Sequence, residues 1–166
     1  MASIYGVSIK NLKHFKDHEG CSICQGDIWL NGKKLGFWSQ DSWGGCDHFD
    51  FDKKLLHDAV EKYKKSGLCQ IEMNGFMDEE ILIGDLTNIM LLEKDFKSHA
   101  KKGFNSLVSA EFLSGVDGYF SKEKTKEEIE VSKYYREFVE KCNKKSLPEY
   151  PVRFHIYTCL EDFNIQ

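Results

Sequence analysis

Four residues in the first third of the chain carry the chemistry of a soft-metal site. Cys21 and Cys24 stand at Cys-x-x-Cys spacing, and Cys46 and His48 offer two further ligands of the types that zinc selects. Such an ion sits about 2.0–2.3 Å from each ligand atom. The first pair suits that geometry better than the second. On a regular strand, residues i and i+2 keep near-parallel side chains, with Cα atoms roughly 6.5 Å apart. Cys46 and His48 therefore reach one ion only where the chain bends, which Gly44-Gly45 would allow. The plainer alternative is that Cys21, Cys24 and Cys46 are small, partly buried thiols. Thiol catalysis would use Cys46 with His48, or a cysteine with His155, and needs an exposed thiolate beside a positive group. His14 and His18 lie one helical turn apart only if that segment is helical, and Gly20 argues for a loop instead. His18-Glu19-Gly20 lacks the second histidine of a zinc-protease helix. Asp47, Asp50 and Asp52 invite Mg²⁺, but strand alternation separates Asp47 from the other two. Asn31-Gly32-Lys33-Lys34 is a turn, not a phosphate loop.

The same third of the chain holds all three tryptophans, Trp29, Trp38 and Trp43. Asn31-Gly32 between two strand-like runs is a strong hairpin signal, because a type I′ turn needs positive φ at both central residues. A two-residue loop sets the expected register: Leu30 opposite Lys33, Trp29 opposite Lys34, Ile28 opposite Leu35 and Asp27 opposite Gly36. Alternation then puts Ile28, Leu35 and Phe37 on one face and Trp29 with Trp38 on the other. If helices cover only the first face, the tryptophans form a contact surface. Large, stiff aromatic side chains dominate interface hot spots. The expected partner-binding residues are Trp29, Trp38, Asp41, Trp43, Gly44 and Gly45. The opposing reading has the tryptophans covered, or Trp29 stacked against Lys34.

Elements must position these residues. Tyr5, Val7 and Ile9 alternate as a first strand, and Lys10 to Gln25 reads as a long connection. Asp52 is placed to cap a helix over Lys53 to Ser66, with Leu56, Ala59, Val60 and Tyr63 as its apolar stripe and Gly67 beyond its end. Leu68 to Met73 reads as a short strand. A second helix runs from Asp78 to about Lys102, acidic at its start and basic at its end as the helix dipole favours. Phe104 to Leu113 is strand-like and Asp117-Gly118 a turn. Thr125-Lys126-Glu127-Glu128 matches a capping box. It opens a third helix whose inner face is Val131, Tyr134, Tyr135, Phe138 and Cys142. Val152, Phe154, Ile156 and Thr158 alternate in a last strand. Early strands and later helices point to an α+β fold: an antiparallel sheet with an N-terminal hairpin, packed on one face by about three helices.

Length and charge narrow the functions. A chain of 166 residues fits a single domain, 1–166, with a core of its own. Net charge is -4, mild and well mixed, so no broad field draws in nucleic acid or an anionic membrane. Arginine occurs only at 136 and 153, which disfavours sequence-specific reading of DNA. Met1-Ala2-Ser3-Ile4 opens no signal peptide, and no apolar run approaches a membrane span, so a cytoplasmic setting with free thiols is expected.

Phe15, His18-Glu19-Gly20, the hairpin around Asn31-Gly32-Lys33-Lys34, and Gly44-Gly45 after an acidic and aromatic turn resemble small proteins of bacteriophages and other bacterial mobile elements. The resemblance covers about the first third of the chain and carries over no catalytic residue. It implies a genomic setting in which small proteins bind and block host factors, including defence nucleases such as those of CRISPR systems. The leading expectation is a non-enzymatic intracellular binding protein whose partner is a host protein or ribonucleoprotein, needing no cofactor. The alternative is a zinc-binding or thiol-dependent enzyme built on Cys21, Cys24, Cys46 and His48. A third is a single-strand or RNA binder that stacks bases on the tryptophans, against which the acidic balance counts.

Overall fold

The computed structural model describes every residue except 17, 42, 44, 69–77, 113–114 and 147–151. The expected strand over Leu68 to Met73 lies, Leu68 apart, outside the described residues. In chain order the elements are β1 (Ser3–Ile4), β2 (Val7–Lys16), β3 (Ser22–Leu30), β4 (Lys33–Ser39), β5 (His48–Phe49), α1 (His57–Lys65), α2 (Glu79–Ala100), β6 (Ser106–Phe112), β7 (Gly115–Ser121), α3 (Lys126–Val131), α4 (Lys133–Asn143), β8 (Arg153–Tyr157) and β9 (Asn164–Ile165). Helices and two sheets make the fold α+β. The chain gathers into two compact units, Met1–Met90 with Asn164–Gln166, and Leu91–Phe163.

The first unit contains a six-stranded sheet in the order β5-β4-β3-β2-β1-β9. Its pairings are antiparallel except β1 with β9, which run parallel. The β3–β4 hairpin turns at Asn31 and Gly32, with φ of 49° and 80°, as the type I′ geometry requires. Leu30 opposes Lys33 and Trp29 opposes Lys34, as expected; the register then shifts. Ile28 opposes Gly36, Asp27 opposes Phe37 and Gly26 opposes Trp38, so Leu35 is an extra residue on β4. A bulge of one residue reverses the face of everything beyond it. Trp38 therefore joins Ile28 and Cys24 on the buried side, and Phe37 moves to the side of Trp29 and Asp27.

The long connection expected over Lys10 to Gln25 is instead a second hairpin. β2 pairs with β3 from Val7 opposite Leu30 to Lys16 opposite Ser22, with a shift between Lys10 and Lys13. Asn11 takes φ of 54° there, a conformation that asparagine tolerates better than other side chains, and donates to Asp27 at 2.8 Å. Beyond Leu12 the strand is exposed on both faces.

The core of this unit is one face of the sheet (Ile4, Val7, Ile9, Cys24, Ile28 and Trp38) with the buried stripes of the helices. Leu56, Ala59, Val60 and Tyr63 come from α1 and the 3₁₀ turn at Lys53–Leu56, and Leu82, Ile83 and Leu86 from α2. Fully burying each such aliphatic side chain contributes about 2 kcal/mol before entropy is counted. Asp52 caps the 3₁₀ turn through the Lys54 amide at 3.1 Å. Asp78 caps α2 through the amides of Glu80 and Ile81 at 3.0 and 3.1 Å.

The second unit has a three-stranded antiparallel sheet in the order β7-β6-β8. Phe112 already pairs with Gly115, and Asp117 and Gly118 lie inside β7 rather than in a turn. Thr125 and Glu128 form the expected capping box. The expected single third helix is broken at Ser132, whose ψ of 147° is extended and whose hydroxyl caps α4 through the Tyr135 amide at 3.1 Å. The break turns Val131 and Tyr134 out to 67% and 76% exposure, while Ile129 and Cys142 stay buried. Tyr157 stacks on Phe163 with ring centres 4.2 Å apart.

Asp162 closes the turn after β8. It accepts from the Thr158 amide and hydroxyl at 2.7 and 3.0 Å, the Cys159 amide at 3.2 Å and Lys126 at 3.1 Å. Burial opposes its ionisation, but the Thr158 amide, Lys126, the Cys159 amide and the Thr158 hydroxyl outweigh it and hold the carboxyl at about 2. An unfolded aspartate titrates near ~3.9, so this stabilisation is complete above about pH 4 and is lost as pH falls toward 2. Asp162→Asn is expected to cost up to about 2 kcal/mol at neutral pH and to flatten the acid limb of stability. Urea melts of both proteins from pH 7 to pH 3 check this. Parallel pH profiles would refute it.

Candidate contact surface at the Trp43 loop

The loop between β4 and β5 is organised by aspartates at its two ends. Asp41 accepts from the amide of Trp43 at 2.9 Å and that of Gly45 at 3.1 Å, the local side-chain-to-backbone bonding that stabilises aspartate turns. A Cβ at Gly45 would displace the Asp41 carboxylate from this position. Gln40 secures the entry: its amide donates to the Cys24 carbonyl at 3.0 Å, and its side chain accepts from the Cys24 amide at 2.8 Å. Trp43, at the tip, is 72% exposed. Its ring lies 6.0 Å from that of His18, which is exposed at the end of the β2–β3 hairpin. Phe15, three residues earlier on β2, is another exposed aromatic.

Trp38 secures the other end from inside. It is completely buried, and its indole N–H donates to Asp47 at 2.7 Å. The Asp47 amide donates to Glu80 on α2 at 3.2 Å, and Glu80 also pairs with Lys53 at 3.3 Å. Burial pushes the Asp47 carboxyl above the usual range; the Trp38 hydrogen bond opposes this and the Glu80 charge adds to it.

The expected contact residues thus separate. Trp43, Asp41 and Gly45 are exposed, Gly44 lies outside the described residues, and Trp38 is displaced from the surface by the bulge at Leu35. Trp29 does lie on the outer side of the sheet, but half-buried, with Lys10 rather than Lys34 over its ring, 3.4 Å from the centroid. Lys34 is held instead by Asp27 at 2.8 Å. The Trp29 indole N–H is buried without a hydrogen-bond partner among the described residues.

The four candidate metal ligands separate as well. Cys24 is buried on the core side of β3, where burial raises its thiol above the ordinary value and makes it a poor nucleophile. Cys21, Cys46 and His48 are exposed, and His48 pairs with Ser39 in β5. Among the described residues no three His, Cys, Asp or Glu side chains gather where they would hold a metal ion. His155, the other histidine offered to a cysteine, lies 3.5 Å from Glu111.

Reading the sequence missed three participants: Asp47 as the partner of Trp38, Glu80 as the group that ties the loop to α2, and His18 as the ring beside Trp43. The pairing of Asp47 with a buried indole follows from the bulge and has no local signature. No family model, curated protein or solved structure matches this chain.

Trp38→Ala is expected to cost about 3–5 kcal/mol, whereas Trp43→Ala stays within about 0.5 kcal/mol of the parent. Denaturant titration followed by circular dichroism checks both, and equal losses would refute the inside–outside assignment. Because the folded carboxyl of Asp47 titrates above its unfolded value, the stability it contributes falls as pH rises through the folded value. Asp47→Asn, which keeps an acceptor for the indole, is therefore expected to be at least as stable as the parent at pH 7. Asp47→Leu leaves the indole N–H unpaired and is expected to lose about 1–3 kcal/mol.

Proposed function

We propose that this chain is a non-enzymatic binding protein of the bacterial cytoplasm that docks on a host protein or ribonucleoprotein through the Trp43 loop. The observation that carries this reading is one side chain: Trp43 stands 72% exposed, with its own amide and that of Gly45 bonded to Asp41. An exposed tryptophan is costly to leave hydrated and is the residue type most enriched at interface hot spots. Groups already bonded, the Trp43 and Gly45 amides to Asp41 and Asp47 to Trp38, lose little further entropy on docking. His18 and Phe15 add to the aromatic surface, and the buried Cys24 takes one thiol away from a catalytic reading. The narrower reading, that the partner is a defence factor such as a CRISPR nuclease and the outcome inhibition, rests on the resemblance to mobile-element proteins. Among the described residues no helix is long and apolar enough to cross a membrane.

The test is affinity capture from a bacterial lysate with the parent chain and Trp43→Ala, followed by assay of whatever the parent retains. A partner held by the parent and lost by the variant, and whose activity falls on adding the parent chain, is expected. No retained partner, or the same partners on both baits, would overturn the reading. Adding the chain to an RNA-guided nuclease reaction tests the narrower form, where unaltered cleavage removes that target.

A further inference from the structure

We propose that the outer edge of β2, over Lys13–Lys16, takes up an extended acidic segment of a partner protein as an added β-strand. This deepens the reading of the chain as a binding protein by naming the chemistry of what it binds. The strand runs from Val7 to Lys16, yet on its outer side β1 meets it only at Ile4 opposite Val7. Among the described residues, the backbone from Ser8 onward is paired on the β3 side alone. Asn11 and Leu12 form the bulge, and beyond them Lys13 to Lys16 pair regularly with Gln25 to Ser22. That leaves an exposed edge over Lys13 to Lys16. Free N–H and C=O groups along such an edge are a template for another strand.

Charge selects the occupant. Val7 to Lys16 contains Lys10, Lys13 and Lys16 and no acidic residue, in a chain whose net charge is -4. No ion pair holds Lys13 or Lys16 among the described residues, and both are exposed. A second copy is the wrong occupant. Antiparallel self-pairing centred on His14 sets His14 against its own copy and Lys13 against Phe15, so it brings no carboxylate to the lysines and crowds Lys13 and Lys16 of both chains along one seam. The lysines thus guard the edge against its own kind while attracting a strand that carries Glu or Asp, a repulsive and an attractive element in one.

The probe is a synthetic hexapeptide of Val and Thr with Glu at positions 2 and 5, so that one carboxylate meets each lysine, titrated into the full chain while amide hydrogen exchange is followed by NMR. Slowed exchange along Lys13–Lys16 is expected. The paired variant Lys13→Glu/Lys16→Glu should weaken binding at least tenfold and favour the matching lysine hexapeptide instead. N-methylation of alternate peptide amides should abolish binding, because strand addition is made by the backbone. Undiminished binding by the methylated peptide, or unchanged exchange with the parent peptide, would overturn the proposal. So would tighter binding of a twelve-residue oligothymidine to the same amides, or a dimer in sedimentation with these amides protected. Trp43→Ala should leave peptide uptake intact, so failure here leaves the loop reading standing, and failure of lysate capture leaves this one.

Discussion

Side chains on a strand alternate, so the face each takes is a matter of counting. One added residue reverses the count for everything beyond it. Here the added residue is Leu35. Up to Lys34 the β3–β4 hairpin keeps the register dictated by the Asn31-Gly32 turn; from Gly36 onward it is inverted. The inversion carries a tryptophan into the core, where its N–H demands an acceptor. Asp47 supplies it, and in doing so ties the far end of the loop to the interior and, through its own amide, to Glu80 on α2. Trp43, beyond the end of the strand, stays exposed.

The aspartates show how one side chain is put to opposite uses. Asp162 is surrounded by donors, two amides, a hydroxyl and an ammonium, and its charge is fully answered. Asp47 receives the Trp38 indole and an amide while Glu80 and Asp78 stand near, so its charge is tolerated rather than favoured. Both carboxyls are partly buried; at Asp162 the hydrogen bonds outweigh burial, whereas at Asp47 burial, with the Glu80 charge added, outweighs the hydrogen bonds. Asp41 works in a third way, exposed and spent wholly on the backbone of its own loop. Asp41 bonds within a few residues of itself, whereas Gln40 and Asp47 attach the loop to β3 and α2.

Much of the architecture was legible in the residues. Asn31-Gly32, Thr125 with Glu128, and Asp52 and Asp78 ahead of apolar stripes all mark their positions because each carries a backbone requirement in its own side chain. Features without such a mark were not legible. Leu35 fits an unbroken alternation as well as a bulged one. The outer half of β2 is exposed on both faces and so shows no alternation to detect. Ser132 reads as an ordinary helical residue until its hydroxyl is seen capping a new helix. At the site, the residue types drew attention to this loop, but the shared tryptophan face depended on counting across an invisible bulge. The cysteines failed for a related reason: Cys-x-x-Cys in a turn-to-strand segment leaves Cys21 in solvent and turns Cys24 into the core.

β9 has consequences in time as well as in space. Ser3 and Ile4 pair with Asn164 and Ile165, nearly the whole length of the sequence away, and Ser3 shares a hydrogen bond with Asn164 at 3.1 Å. Hairpins such as β2–β3 and β3–β4 close over short loops and need wait for nothing downstream. The β1·β9 pair closes the largest loop in the chain and pays the largest closure entropy. During synthesis the first strand leaves the ribosome early and stays without its parallel neighbour until residues 164 and 165 emerge. The six-stranded sheet is begun first and finished last.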